Sequence, residues 1–156
     1  MEYPKFKYEF HLPGIQLLPH RDPFLFVDTL LSADETGCVA EYTFTLEKNE
    51  FFKGHFPDFP IVPGVVLCET LAQAAGAGLV ARGFLGEESS FILASIENAR
   101  FYKPVRPGHK LVTVGTNVKL GRIMGIFAAK GYVDGELAVE CTVKCMLGPK
   151  NYSKLK

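Results

Sequence analysis

The sequence carries no net charge: 17 lysines and arginines are balanced by 17 aspartates and glutamates among 156 residues. With no surplus of cations to displace counterions from a polyanion, a general nucleic-acid binder is not expected. Balanced charge also leaves little repulsion between copies, which permits oligomers without requiring them. Cysteine is scarce. Cys38, Cys68, Cys141 and Cys145 form no C-x-x-C pair and have no histidine at a ligand spacing, so neither a zinc site nor a disulfide framework is indicated. No G-x-G-x-x-G or P-loop pattern occurs, and no metal or redox cofactor is expected. Residues 1–10 mix Glu2, Lys5, Lys7 and Glu9 with aromatics and lack the uninterrupted apolar core of a secretory signal, which makes the cytoplasm the expected location. No linker, repeat or low-complexity tract divides the chain. At about the length of one domain, residues 1–156 read as a single unit. A 47% hydrophobic and 22% charged composition excludes disorder for the bulk of it.

What is present is mostly strand. Residues 24–31 and 38–46 are rich in Phe, Val, Leu and Thr and flank a polar turn, Asp34 to Gly37, so they are expected to form two strands. Strand-like runs resume at 91–101, 110–120, 123–133 and 136–147, with Asp134-Gly135 a strong hairpin signal and Gly121-Arg122 a weaker one. Cys141 and Cys145 share parity in the last run and are expected to point together into the core. Between them and the first pair lies a loop, 49–63, stiffened by Pro57, Pro60 and Pro63. Pro63 then opens the one long helix candidate, Gly64 to Arg82, which stops at Gly83. That helix has almost no polar face, as expected for a helix buried on most sides. A membrane span competes, since about 20 apolar residues suffice for one. Glu69, Thr70 and Gln73 near its start, and the strands around it, favour a core helix wrapped by about six antiparallel strands.

Glu69 is the one carboxylate in this helix. A buried carboxylate is costly unless partnered or protonated, and Gln73, four residues on, is placed to orient it. The alternative is that Glu69 emerges at a helix edge and is solvated. Gly64 stands where the backbone N–H groups of a first turn have no intrahelical partner, an arrangement suited to an oxyanion; a tight bend after Pro63 would equally ask for glycine. His55, in the stiff loop before the helix, is a candidate general base or a structural loop residue. His20 and His109 read as structural or exposed. Taken together, His55, Gly64 and Glu69 supply a base, an oxyanion site and an acid in one short segment.

Gly54-His55-Phe56-Pro57, Pro63-Gly64-Val65 and Glu69-Thr70-Leu71-Ala72-Gln73 resemble the central motif of the FabZ-type 3-hydroxyacyl-acyl-carrier-protein dehydratases. Leu18-Pro19-His20-Arg21 with Val27-Asp28 resembles the opening of that family, and Asn98-Ala99-Arg100-Phe101 with Pro104-Val105 its third-strand region, so the likeness runs from about Leu18 to Leu147. The resemblance implies a hotdog fold of the α+β class, six antiparallel strands around one helix. It implies dimers with a continuous sheet, often a trimer of dimers, in which His55 of one subunit faces Glu69 of its partner. It makes His55 and Glu69 catalytic, and it gives Gly64, Val65, Phe56 and Gln73 to substrate binding, with the Gly64 N–H as donor to the thioester carbonyl. Acyl carrier protein is the implied partner, and Arg100, Lys103, Arg106, Lys110 and Arg122 are the basic residues to consider for docking this acidic protein. Small residues from Ala72 to Gly78 could make room for an acyl chain, or serve close packing alone. Three positions depart from the pattern: Asp22 replaces an aromatic, Asp58 a glycine and Tyr102 a basic residue. An acyl thioesterase of the same fold, or a noncatalytic acyl-binding assembly subunit, remains as an alternative.

Overall fold

The computed structural model describes residues 2–86 and 89–149; the outer ends of the expected 1–156 unit lie outside them. Seven strands form one antiparallel sheet: β1 (Tyr8–Pro13), β2 (Thr29–Asp34), β3 (Gly37–Thr43), β4 (Ser89–Phe101), β5 (Lys110–Leu120), β6 (Met124–Val133) and β7 (Glu136–Pro149). Their spatial order is β1-β2-β3-β5-β6-β7-β4. A four-residue helix α1 (Gly14–Leu17) follows β1, a 3-10 turn spans Glu50–Lys53, and α2 (Gly64–Ala81) is the long helix. The sheet curls around α2, which contacts every strand from β2 to β7. This is the hotdog arrangement, with one strand more than expected.

The local chemistry of α2 sets both its ends. Pro63 precedes it in an extended conformation and its carbonyl accepts from the Val66 and Leu67 N–H groups. At the other end Gly83 adopts φ +73 and donates to the Val80 carbonyl, a left-handed stop that favours glycine. Twelve of the 18 residues are buried. The helix is long and apolar enough to cross a bilayer by length and composition, but 67% of it is buried inside the sheet, where Leu71, Phe44, Phe127 and Val139 complete the core. Cys141 and Cys145 both point into that core. The Asp134-Gly135 turn closes the β6–β7 hairpin with both residues at positive φ.

Two expectations needed correction. Residues 24–28 are not strand, because the first pair is displaced to Thr29–Asp34 and Gly37–Thr43. The Phe26 N–H and the Phe24 carbonyl, which a ladder would use, are bonded instead to Gln73 of α2. The seventh strand is β1, which pairs with β2 from Tyr8↔Ala33 to Pro13↔Thr29. Its side chains are largely exposed on an edge, so no hydrophobic alternation marked it.

Candidate active site

The loop between the 3-10 turn and α2 is held by its own backbone. His55 N–H donates to the Phe51 carbonyl, Ile61 N–H donates to the His55 carbonyl, and Val62 N–H reaches the Val105 carbonyl. The His55 ring is fixed as well, with Nδ1 3.0 Å from the Ile61 carbonyl oxygen. A carbonyl only accepts, so this contact places the proton on Nδ1 and leaves the Nε2 lone pair bare, the form a general base requires. Phe56 stacks on the imidazole at 4.2 Å between centroids and is half exposed.

His55 opens into an apolar cavity of about 590 Å³, where Gly64 and Val65 lie with it and Phe101, Tyr102 and Lys103 form another part of the lining. The Gly64 and Val65 N–H groups have no hydrogen-bond partner among the described residues, and no side chain caps the helix. Two backbone donors at the positive end of α2 are therefore available to an oxyanion in this cavity. Glycine at 64 also has a packing reason. A Cβ there would stand 2.9 Å from the Phe101 ring.

Glu69, in the second turn of α2, belongs to a different environment. Its side chain is 19% exposed. Oε1 accepts from Gln73 Nε2 at 2.9 Å, and burial holds the carboxyl above its ordinary pKa while the Gln73 bond partly offsets this. Gln73 is wholly buried. Its amide donates a second bond to the Phe24 carbonyl and its oxygen accepts from Phe26 N–H at 2.7 Å, so it joins Glu69 to the loop before β2. All its polar atoms are taken by the protein. No hydrogen bond or ion pair joins His55 to Glu69 among the described residues. One chain presents the His55 loop and the Glu69 carboxyl as two separate parts.

Comparison with known proteins gives the family. The FabA-like domain family matches residues 18–142. The chain belongs to that family. It is 41% identical over 138 residues to the 3-hydroxyacyl-[acyl-carrier-protein] dehydratase FabZ of Polynucleobacter asymbioticus, covering 87% of this chain and 91% of the relative. The FabZ of Thermus thermophilus is 38% identical over 133 residues, 85% of this chain and 93% of its own. Among solved structures, the dehydratase heterocomplex ApeI:P from Xenorhabdus doucetiae aligns with a TM-score of 0.76 over 94% of this chain and 97% of that chain, at 16% identity, a likeness of fold alone.

One histidine read as structural or exposed lies at the Glu69 carboxyl: His20 Nε2 is 3.6 Å from Glu69 Oε1. The two are 49 positions apart along the chain, and nothing in local spacing signals the contact. His109 accepts the Arg106 N–H through Nδ1 and is structural. Asp22 and Asp58 are exposed, and Tyr102 lines the cavity with its hydroxyl bonded to Glu140 at 2.6 Å. The small residues of α2 serve packing, since a Cβ at Gly76 would meet the Phe91 ring at 1.9 Å and one at Gly78 would meet Cys38 at 2.8 Å. Of the basic residues, Lys103 reaches the cavity and pairs with Glu136, Arg106 lies over the Phe59 ring at 4.6 Å, Lys110 pairs with Glu41, and Arg100 and Arg122 are exposed.

Proposed function

We propose that the chain dehydrates (3R)-3-hydroxyacyl thioesters carried on acyl carrier protein to trans-2-enoyl thioesters, as a hydro-lyase of fatty acid biosynthesis or a related lipid or polyene pathway. The observation that carries this is a histidine with its Nε2 bare, facing an apolar cavity beside the uncapped start of α2. The identity to FabZ enzymes over most of the chain supports it.

The chemistry follows from the geometry. The thioester oxygen takes the Gly64 N–H, and each such donor contributes on the order of 3 kcal/mol to a developing oxyanion. His55 Nε2 removes the proton next to the carbonyl, and the electron pair of that C–H bond becomes the new C=C bond. The C–O bond at carbon 3 breaks as Glu69, whose protonated form burial favours, gives its proton to the departing hydroxyl, which leaves as water. The proton held by His55 then passes back to Glu69, and no cofactor is consumed.

A second copy supplies what one chain leaves apart. β4 is a 13-residue edge with no outer partner strand among the described residues, and Ile92, Ile96 and Phe101 on it are exposed. Such an edge suits pairing with its own copy into a continuous sheet, which would bring His55 of one protomer to Glu69 of its partner, as a dimer or a trimer of dimers. The acyl-carrier partner would meet Lys103 at the cavity and Arg106 over the Phe59 ring, and the cytoplasm is the matching location. Each chain is a single hotdog domain in this reading.

The deciding assay supplies crotonyl and 3-hydroxybutyryl thioesters and follows enoyl absorbance together with free thiol. Dehydration or hydration without thiol release is the expected result. Thiol release without change in the enoyl signal would make the protein a thioesterase, and inertness toward both would make it a binding subunit.

A further inference from the structure

His20 has a contact that the dehydration scheme does not use. The ring stands between Glu69 and Phe91, with Nε2 3.6 Å from Glu69 Oε1 and its centroid 6.0 Å from that of Phe91. Nδ1 is buried and has no partner among the described residues. A buried N–H without an acceptor is rarer and costlier than a bare acceptor, so the neutral ring carries its proton on Nε2, turned to the carboxyl. Gln73 Nε2 donates to the same oxygen at 2.9 Å. Oε1 thus faces two donors, whereas Oε2 has no protein hydrogen bond among the described residues.

We propose that His20 is a positioning residue, which with Gln73 holds Oε1 of Glu69 as the accepting oxygen and so makes Oε2 the one that carries and delivers the acid proton. This rests on the dehydration reading above. The ring is well supported for such a task. Phe91 behind it is seated against Gly76, and the loop that bears His20 is closed by Arg21 Nη1, which donates to the Leu18 carbonyl at 2.9 Å and the His20 carbonyl at 2.6 Å. The 3.6 Å separation is longer than a hydrogen bond, and contacts of this kind tighten when substrate closes a site.

Charge on His20 matters as much as its place. Burial, and secondarily the Arg21 guanidinium, hold His20 below the usual histidine range, so near neutrality it is a neutral donor rather than a cation that would ionise Glu69. Cys145 on β7 also faces Glu69, and burial, with Glu69 next, pushes its thiol up to about 12, so it is uncharged. Burial likewise raises the Glu69 carboxyl above its ordinary value, which favours its protonated form beside a neutral His20.

The test compares His20→Gln, which keeps an N–H donor of similar reach, with His20→Phe, which keeps an aromatic ring against Phe91 and has no donor. In the full chain, turnover of crotonyl thioester by the Phe variant is expected to fall about 10- to 100-fold, the size of a hydrogen bond to a charged group, with KM nearly unchanged. The Gln variant is expected to keep most of the turnover. Carbon NMR of the glutamate carboxyls reads the same contact without catalysis: loss of the donor raises the Glu69 titration in the Phe variant, and the Gln variant stays with the wild type. Wild-type turnover and an unmoved Glu69 titration in the Phe variant, or equal loss in both, would overturn the proposal in favour of ring packing. If the wild-type protein has no dehydratase activity, the function above fails, while the carboxyl titration still judges the His20–Glu69 contact.

Discussion

The two halves of the site are built in opposite ways. His55 lies in a loop fastened by backbone hydrogen bonds and faces an open apolar cavity of about 590 Å³, with free helix N–H groups beside it. Glu69 is 19% exposed, bonded to a wholly buried glutamine, and backed by a second histidine. In the proposed reaction the first part meets the substrate as the base, and burial of the second favours the proton that the acid must give. A carboxyl keeps a proton near neutrality only where water is largely excluded, whereas a base must be reached by the carbon acid it serves. One short stretch of chain gives both environments because Gly64 begins the helix beside the cavity, and Glu69, almost a turn and a half on, is bonded to the wholly buried Gln73.

The largest effects should come from removing either half. His55→Ala and Glu69→Gln are each expected to lower turnover of a crotonyl thioester by about 10²- to 10⁴-fold, the usual span for a positioned acid or base. Co-refolding the two inactive variants should restore activity if the halves meet across a dimer, because a mixed dimer carries one intact site; steady-state assays of the mixture read this directly. No recovery in a preparation shown to contain mixed dimers would place both halves in one chain.

Next in size is Gln73→Leu. It strips partners from Glu69 Oε1, the Phe24 carbonyl and the Phe26 N–H together. At about 1–3 kcal/mol for each buried group left unpaired, a clear fall in stability is expected along with loss of turnover. Thermal unfolding should show it, and a Leu variant as stable as wild type would mean that the acid half is not locked by Gln73.

The acid half should also reveal itself through pH. Burial raises the Glu69 carboxyl in the folded protein above its unfolded value of about 4.3. The folded state therefore binds that proton more tightly, and the associated stability is present below the unfolded value and lost as pH rises through the folded one. Glu69→Gln, which never ionises, should match wild type in acid and unfold at a higher temperature than wild type at neutral pH. A difference in Tm independent of pH would show that Glu69 is solvated.

Smaller still are changes on the base side that leave His55 in place. Gly64→Ala retains the N–H but sets a methyl 2.9 Å from the Phe101 ring, so a loss of about tenfold in kcat/KM is expected, with recovery in the Gly64→Ala, Phe101→Leu double variant if the ring cannot yield. Charge reversal at Lys103 and Arg106 should raise KM for the carrier-bound substrate a few-fold and leave a small thioester unaffected. Equal effects on both substrates would remove these residues from carrier docking.

Much of this was legible in the chain. The strands of the β5–β6–β7 meander, the Asp134-Gly135 turn and the limits of α2 follow local rules, since alternation, turn chemistry and the Pro63 and Gly83 stops act over a few residues. Gln73 as the partner of Glu69 follows from four-residue helix spacing, and the geometry bears it out. What was misread depends on distant groups. Residues 24–28 have strand-like composition yet form a loop, because the Gln73 amide takes their hydrogen bonds from 47 and 49 positions away. β1 has no buried face to give it a period.

By itself the sequence determined the inventory and the order: a neutral chain without motifs for nucleotide or metal, one apolar helix, a stiff histidine loop leading into it, and a single carboxylate on its length. Tertiary structure alone decided which of those groups meet. It parted His55 from Glu69 within one chain, placed His20 at the carboxyl oxygen already held by Gln73, and filled the small-residue stretch of α2 with Phe91 and Cys38. The physical reason is that torsions, caps and periodicity are local, whereas desolvation of a carboxyl and the partners of its oxygens come from whatever segment the fold sets against it.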